Sequence, residues 1–221
     1  MLFSESSLTL SRNRIPVVGI VGGIGSGKSA VASWIAEMAN VAVIDADRFG
    51  HDVLFSKTIM EKIRTDFGSH VFDDCGEIQR KVLAEQVFGS DHKHRSARRK
   101  LEQIVHPEIR RRIALEIDRL IMKRYDAILL DAALLFEADW QDSCDAVVFV
   151  DAPTPLRWTR IQQRSDWTAE DLSRRESSQW DLAQKRSRCQ CVISNAQEIA
   201  AAGEELLRFL GKRWSISCKP C

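Results

Sequence analysis

Short apolar runs alternate with amphipathic stretches along most of the chain, from Pro16 to Leu210. The runs lack strict polar alternation, which is typical of strands that helices cover on both faces. They are Val17 to Val21, Val41 to Ile44, Ala127 to Leu130, Ala146 to Val150, and the short pair Val192 and Ile193. After the first run, Ser29 to Ala39 spaces Val31, Ile35 and Met38 at helical intervals. This βα pattern predicts an α/β fold with a mostly parallel sheet.

The stretch between the second and third predicted strands is too long for a simple crossover and carries helical patterns. It predicts a helical subdomain inserted beside the sheet. Pro107 follows His106 directly, and because the residue before proline avoids helical geometry, we expect one helix to end near His106 and another to begin there. The buried face of the second helix is predicted to hold Ile109, Ile113, Ile117 and Leu120.

Composition restricts the classes of function. The 221 residues carry 32 Lys plus Arg against 31 Asp plus Glu, which argues against a nucleic-acid platform held by bulk electrostatics. With 44% hydrophobic and 29% charged residues, the chain is predicted to fold. No apolar run approaches the roughly 18 residues of a membrane span, and residues 1–14 are expected to form a loose extension and not a signal peptide. We therefore predict a cytoplasmic protein whose six cysteines stay thiols, without structural disulfides.

A glycine-rich segment after the first predicted strand matches the phosphate-binding pattern G-x-x-x-x-G-K-[ST], and it leads into a predicted helix. Glycines let the backbone turn its N–H groups toward phosphate oxygens, beside the positive end of the helix. Lys28 would reach the β- and γ-phosphates, and the Ser29 hydroxyl would bind Mg²⁺. This context disfavours a glycine-rich turn without a ligand. We assign nucleotide binding to Gly23, Ile24, Gly25, Ser26, Gly27, Lys28, Ser29 and Ala30.

Such a P-loop is compatible with a GTPase switch, a motor ATPase or a small-molecule kinase. The sequence has no Asn-Lys-x-Asp segment, the usual guanine-reading signature. It also has no hydrophobic strand that ends in Asp-Glu, by which many motor ATPases hold magnesium. A kinase is the class that remains.

Acidic residues follow two predicted strands at their carboxyl ends, where open parallel sheets bind ligands. Asp45 and Asp47 come after the second strand, and with one residue between them their side chains diverge. One can accept the proton of an acceptor hydroxyl, while the other supports magnesium-bound water or caps the next segment. Asp131 ends the third strand and either supports magnesium or terminates the strand. Glu137 is interpreted as a helix-start carboxylate without a chemical role.

Basic residues follow the fourth predicted strand at helical spacing. Arg157, Arg160 and Arg164 share one face of a helix, where like charges repel unless an anion lies opposite. Nucleotide phosphates meet that need, and a solvated basic face is the alternative, above all for Arg157. Downstream, Thr168 and Asp171 have the spacing of a capping box and predict a helix start.

These residues resemble the bacterial dephospho-CoA kinase family over roughly Val17 to Leu210. Besides the P-loop, the resemblance rests on Ile44-Asp45-Ala46-Asp47, Phe67-Gly68, Gln79-Arg80 with Leu83-Ala84, His106-Pro107, Leu134-Leu135-Phe136-Glu137, Arg160 with Arg164, Gln179 and Ser194-Asn195. It implies a P-loop NTPase fold with a five-stranded parallel sheet, a helical substrate-binding insert and a helical lid. The core would comprise residues 15–50, 125–155 and 190–210, the insert about 51–124 and the lid about 156–189, followed by a tail at 211–221.

The resemblance also implies an activity. The family transfers the γ-phosphoryl group of ATP to the 3′-hydroxyl of the dephospho-CoA ribose, the last step of coenzyme A synthesis, with Mg²⁺ as cofactor. By resemblance, Asp47 is the base and Ser29 the metal ligand. The implied catalytic set also includes Lys28, Arg160 and Arg164. The residues implied to bind the acceptor are Asp45, Arg80 and His106. Two departures are Ala30, where the family commonly has threonine, and Ala133, where proline often precedes Leu134 and stiffens the turn.

Other interpretations stay open at this stage. A kinase for another nucleoside or nucleotide is one, because only the insert selects the acceptor. A nucleotide-binding module without transfer is another, against which Lys28, Ser29 and Asp47 argue. The run His92 to Lys100 lacks interleaved aromatics, so we expect a solvated helix face and no nucleic-acid binding. Cysteines 189, 191, 218 and 221 have spacings unlike a zinc set. We expect no membrane partner and a monomer or weak homo-oligomer.

Overall fold

The sheet has five strands in the order β2-β3-β1-β4-β5, and every pairing is parallel. This is a computed structural model that describes residues 15–89 and 91–219, so the extension predicted at 1–14 lies outside the described residues. The strands are β1 (Val17–Gly22), β2 (Val41–Asp45), β3 (Ala127–Asp131), β4 (Ala146–Asp151) and β5 (Cys191–Ser194). The predicted α/β class with a parallel sheet is confirmed.

Strand register brings the candidate site residues to one edge of the sheet. Asp45 pairs with Asp131 across β2 and β3, and Ile20 pairs with Asp131 across β1 and β3. The glycine-rich loop leaves β1 at this same edge, because parallel strands have their carboxyl ends together. The sheet therefore places two carboxylates beside the loop.

The described part of the chain forms nine helices, some packed on the sheet and others in the segment between β2 and β3. They are α1 (Lys28–Met38), α2 (Ala46–Asp52), α3 (Lys57–Phe67), α4 (Arg80–Val87), α5 (His92–Ile121), α6 (Thr154–Gln162), α7 (Ala169–Glu176), α8 (Leu182–Ser187) and α9 (Ile199–Trp214). Short 3₁₀ turns occur at Val53–Phe55, Ser69–Val71 and Trp140–Ser143. The predicted capping box is present at the start of α7, where Thr168 and Asp171 bond each other's backbone N–H groups.

Alternate residues of β1 belong to two different cores, as the period of a strand requires. Val17 and Val21 pack with Ile109 and Ile113 of α5 on one face of the sheet. On the other face, Val18 and Ile20 pack with the group Val31, Ile35, Leu206 and Leu210 from α1 and α9. Burial on both faces explains why the strand is a continuous apolar run.

The segment between β2 and β3 has a core of its own, which Ile59, Ile63 and Phe67 of α3 share with Leu83 of α4. Ile104 of α5 completes this third cluster. Helix α5 thus packs on the insert with its first half and on the sheet with its second. The predicted insert is helical, and it is joined to the core through one long helix.

The predicted helix boundary at His106 is wrong, because α5 runs for 30 residues through Pro107. Proline removes one helical N–H and crowds the preceding turn, which disfavours a helix locally. Here buried residues on both sides, Ile104 and Ile109, anchor the two halves in adjoining cores. Tertiary packing outweighs the local bias. Ile117, which we expected on the buried face, is only partly buried.

The C-terminal residues pack on the protein up to the end of the described chain. Helix α9 continues to Trp214, beyond the predicted end of the core at Leu210. Ile216 is 4% exposed, and the Lys219 N–H donates to the carbonyl of Met38 at 2.7 Å. Met38 itself is 41% exposed and does not share the buried face predicted for α1.

Among residues 15–89 and 91–219, no helix combines the length and apolar character that crossing a membrane requires.

Candidate active site

The P-loop joins β1 to α1 and depends on two left-handed glycines, Gly25 at φ 79° and Gly27 at φ 87°. Such angles disfavour any residue with a Cβ atom. Gly27 is the N-cap of α1, where no side chain accepts from the helix and no acidic residue lies in the first turn. The N–H groups at this helix start therefore lack side-chain acceptors, and together with the helix dipole they suit an anion.

Three side chains from the second half of the chain hold the P-loop from behind. Arg157, only 5% exposed, donates to the carbonyl of Ile24 at 3.0 Å and pairs with Glu176. Arg160 donates to the carbonyls of Ser26 and Asn195, both at 3.1 Å. The Asn195 amide donates to the Ser26 carbonyl at 2.7 Å. Helix α6 and the residue that follows β5 therefore brace the loop.

These contacts correct the expectation for the arginine face. Arg157 is neither a solvated cation nor aimed at phosphates, because a loop carbonyl and Glu176 bind its guanidinium. Arg160 is committed to two backbone carbonyls. Arg164 is the exposed member of the set, and it lines the cavity in front of the loop.

A cavity of about 610 Å³ lies in front of the P-loop, between the sheet, the helical segment that follows β2 and the segment that follows β4. Its size is in the range of small-molecule sites. The predicted site residues that line it are Ile24, Gly25, Lys28, Ser29, Asp47, His106 and Arg164. Its insert and lid walls include Val87, Phe88, Leu101, Val105, Trp167 and Arg175. Asp45, Arg80 and Arg160 do not line it, nor do Gly23, Ser26, Gly27 and Ala30 of the loop.

Asp47 lies in the first turn of α2, and its carboxyl group has a raised pKa. The residue is exposed overall, but surrounding protein atoms desolvate the carboxylate, and this is the main cause of the raised pKa. The cation of Lys28 opposes it, while the charges of Asp131 and Asp45 add to it. The backbone N–H of Ala133 also stabilises the ionised form. A carboxylate in this state can act as a proton acceptor.

Asp45 is exposed and caps α2, since its Oδ1 accepts from the Arg48 N–H at 3.0 Å. The structure therefore gives the first acid of the pair the capping role that was one of the two alternatives. Asp131 is 5% exposed at the end of β3, and its Oδ1 lies 3.6 Å from the Lys28 ammonium.

His106 and Arg80, both expected on the acceptor side, have different environments. His106 lines the cavity with its ring 5.7 Å from that of Trp140, edge to face. Burial, with a smaller contribution from Arg110, lowers its pKa, which favours the neutral imidazole at pH 7. Arg80 is exposed at the first residue of α4.

Sequence reasoning missed a buried ion pair beside the cavity. The Lys185 ammonium is completely buried and lies 2.8 Å from Oε1 of Glu137. Glu137 also accepts from the backbone N–H of Trp180 at 2.8 Å, so the interpretation of a carboxylate that only starts a helix is wrong. No signal marked Lys185, which lies in a polar stretch.

Two side-chain oxygens near the P-loop are possible ligands for magnesium. Ser29 offers an exposed hydroxyl at the cavity, and Oδ1 of Asp131 is a buried oxygen without a hydrogen-bond partner. The described residues contain no group of three or more His, Cys, Asp or Glu side chains that could hold a metal. Few protein oxygens suit Mg²⁺, which substrate phosphates and water largely coordinate. The residues therefore fit a magnesium–nucleotide complex.

The strand, P-loop and helix unit and the carboxylate across from Lys28 define a P-loop kinase. A family model for dephospho-CoA kinase (CoaE) matches residues 16–201. A dephospho-CoA kinase of Carboxydothermus hydrogenoformans is 32% identical over 202 residues, covering 90% of this chain and 96% of the relative. A dephospho-CoA kinase of Dehalococcoides mccartyi is 35% identical over 179 residues, covering 81% of this chain and 88% of the relative. This chain belongs to the dephospho-CoA kinase family, as the sequence resemblance implied.

Solved structures agree on the fold. The Thermus thermophilus protein TT1252 superposes with a TM-score of 0.73 at 30% identity, covering 88% of this chain and 95% of that one. A dephospho-CoA kinase from Campylobacter jejuni gives a TM-score of 0.64 at 24% identity, covering 90% of this chain and 97% of that structure. At that identity the second match supports the fold alone.

Proposed function

We propose that this protein transfers the γ-phosphoryl group of ATP to the 3′-hydroxyl of the dephospho-CoA ribose, giving CoA and ADP. The observation that carries the proposal is that Lys28 of the P-loop and the Asp47 carboxylate line one cavity, together with His106 from the insert. A phosphate-binding cation and a proton acceptor are the two groups that phosphoryl transfer to a hydroxyl needs. Family membership supports dephospho-CoA as the acceptor, in the last step of coenzyme A synthesis.

The P-loop binds the ATP phosphates through the open helix start at Gly27 and through Lys28. Ser29, with substrate phosphates and water, would hold Mg²⁺. The ion, when bound, neutralises charge that develops on the phosphates. Arg157, Arg160 and Asn195 keep the loop carbonyls engaged from behind, so that the loop is preorganised.

On the acceptor side, Asp47 accepts the proton of the ribose hydroxyl. Its raised pKa makes it a stronger base than an ordinary aspartate, while the nearby Lys28 keeps an ionised form accessible. Neutral His106 offers the acceptor a hydrogen-bonding ring at the cavity wall. Asp45 supports this side by capping α2, which carries Asp47. Arg80, exposed at the start of α4, supplies a cation for the diphosphate of the acceptor.

The lid contributes Arg160 and Arg164 to transfer. Arg164 is exposed at the cavity, where a guanidinium can stabilise charge on the transferring group. Arg160 acts through the loop carbonyls that it binds.

A coupled assay of ADP release tests the proposal with dephospho-CoA, adenosine, AMP and dTMP as acceptors. We expect the highest kcat/KM with dephospho-CoA, since that ratio measures discrimination between substrates. The Asp47→Asn protein, purified in parallel, controls for contaminating kinases. A higher kcat/KM with another acceptor would indicate a different nucleoside or nucleotide kinase. ATP binding without transfer to any acceptor would indicate a nucleotide-binding module.

A further inference from the structure

The Lys185 ammonium is the most completely sequestered charge in the described chain, with no exposed surface. It donates to three acceptors: the Ala133 carbonyl at 2.7 Å, Glu137 Oε1 at 2.8 Å and Gln179 Oε1 at 3.2 Å. An ammonium has three N–H donors, so its hydrogen-bonding capacity is used in full. Three acceptors around one nitrogen fix its place.

These acceptors join two segments of chain. Ala133 and Glu137 belong to the turn that follows β3. Gln179 lies in the connection between α7 and α8. The same segments meet where Glu137 accepts from the Trp180 N–H at 2.8 Å. The Trp180 ring also stacks on Phe136, with centroids 5.9 Å apart. Lys185 thus lies at the centre of the contacts that join the α7–α8 connection to the turn after β3.

The β3 turn is also a wall of the reaction cavity. Ala133 and Leu134 line it beside Asp47. Ala133 interacts with both groups: its carbonyl accepts from Lys185, and its backbone N–H stabilises the ionised Asp47 carboxylate. A short path of contacts therefore runs from the buried ammonium to the proposed base.

Stability alone does not account for this ion pair. A buried pair usually adds little stability over apolar residues of the same shape, because desolvation offsets the attraction. Reactivity, in contrast, depends steeply on the place of a base relative to its hydroxyl. We propose that Lys185 is a positioning residue for phosphoryl transfer, which fixes the Ala133 backbone and through it the Asp47 carboxylate. This inference rests on the proposed function.

The test is a double variant, Lys185→Met with Glu137→Gln, which removes both charges and keeps an oxygen for the Trp180 N–H. Wild-type activity with dephospho-CoA is measured first, so that failure of the proposed function is seen separately. For the folded variant we expect kcat to fall about 10- to 100-fold, with the ATP dissociation constant within about twofold of wild type. A solely structural role would leave kcat per folded molecule unchanged, and that result would overturn the proposal.

Arg186→Met is the matched control. Arg186 is the next residue on α8 and pairs with Asp151 at 2.7 Å on an exposed surface, so its loss should leave kcat unchanged. If the double variant does not fold, Lys185→Arg replaces it, because it keeps the charge pair while its planar head displaces the donor from the Ala133 carbonyl. We expect a lowered kcat with unchanged ATP binding there as well, and a wild-type kcat would refute the positioning role.

Discussion

The Lys28 ammonium and the Asp131 carboxylate form a largely buried pair, with Nζ 3.6 Å from Oδ1 and the side chains 14% and 7% exposed. The pair links the start of α1 to the end of β3. The charge of Asp131 raises the pKa of Asp47, while that of Lys28 lowers it. The ionisation of Asp47 therefore depends on the two charged neighbours at this edge of the sheet.

Replacement of Asp131 by Asn should move the acidic limb of the pH–rate profile. The Asp131 charge raises the Asp47 pKa, so its removal lowers that pKa, and Asp47 stays ionised to lower pH. We expect the acidic limb of log kcat against pH to shift to lower pH. Asp126→Asn is the control, because Asp126 is exposed just before the start of β3, at the opposite end of the strand from Asp131. A shift to higher pH would contradict the assignment of that limb to Asp47.

Replacement of Ser29 by Ala should impair catalysis without lowering stability. Ser29 is exposed at the cavity, so its hydroxyl is free of any packing role in the core. We expect kcat/KM for ATP to fall on the order of a hundredfold, with partial recovery at high Mg²⁺ concentration. Thermal melting should match wild type. Ser33→Ala, on an exposed face of the same helix, should leave both measurements unchanged.

The strands could be predicted because each is a local signal. Burial on both faces produces an apolar run, as the division of β1 between two cores shows. The course of α5 through Pro107 could not be predicted in this way. Its continuity depends on Ile104 and Ile109 anchoring in separate cores, which are contacts with distant residues.

The same distinction holds within the site. Lys28 and Ser29 lie in one short motif and Asp47 follows a predicted strand, so the local pattern indicated a place at the ligand-binding edge of the sheet. The choice of Asp47 over Asp45 as the base came from the family resemblance. The hydrogen-bond partners of Lys185 and Arg157 lie far away in the sequence. The Ala133 carbonyl is 52 residues from Lys185, and the Ile24 carbonyl is 133 residues from Arg157. Only the fold brings such pairs together.

The two acids after β2 should separate in function when each is changed to Asn. Asp47→Asn removes the proton acceptor and keeps the shape, so kcat should fall strongly while ATP binding stays near wild type. Asp45→Asn keeps a good N-cap for α2 and should retain most of the activity. Asp45→Ala should cost about 1 kcal/mol of stability through loss of the cap. An inactive Asp45→Asn protein beside an active Asp47→Asn protein would assign the base to Asp45.

Replacement of Arg164 by Ala should lower kcat about 10- to 100-fold with little change in either KM. The guanidinium is exposed at the cavity, so its loss removes charge stabilisation without disturbing packing. Arg160→Ala should differ, because it also releases the Ser26 carbonyl and so weakens ATP binding. Arg174→Ala is the control, because the Arg174 side chain is 45% exposed on α7 and does not line the cavity. If the Arg164 and Arg174 changes had equal effects on kcat, Arg164 would belong to a solvated basic face and have no role in transfer.

Replacement of Arg80 by Ala should act on the acceptor alone. Arg80 begins α4 of the insert and is exposed, and dephospho-CoA carries a diphosphate that an exposed cation attracts. Such a contact holds in ground and transition states alike, so its loss raises KM for dephospho-CoA, by about fivefold, and leaves kcat and the KM for ATP unchanged. The difference should shrink at high salt, because exposed charges are screened. Lys81→Ala, one residue further along and also exposed, controls for general charge. An unchanged KM for dephospho-CoA in steady-state kinetics would remove Arg80 from the acceptor side.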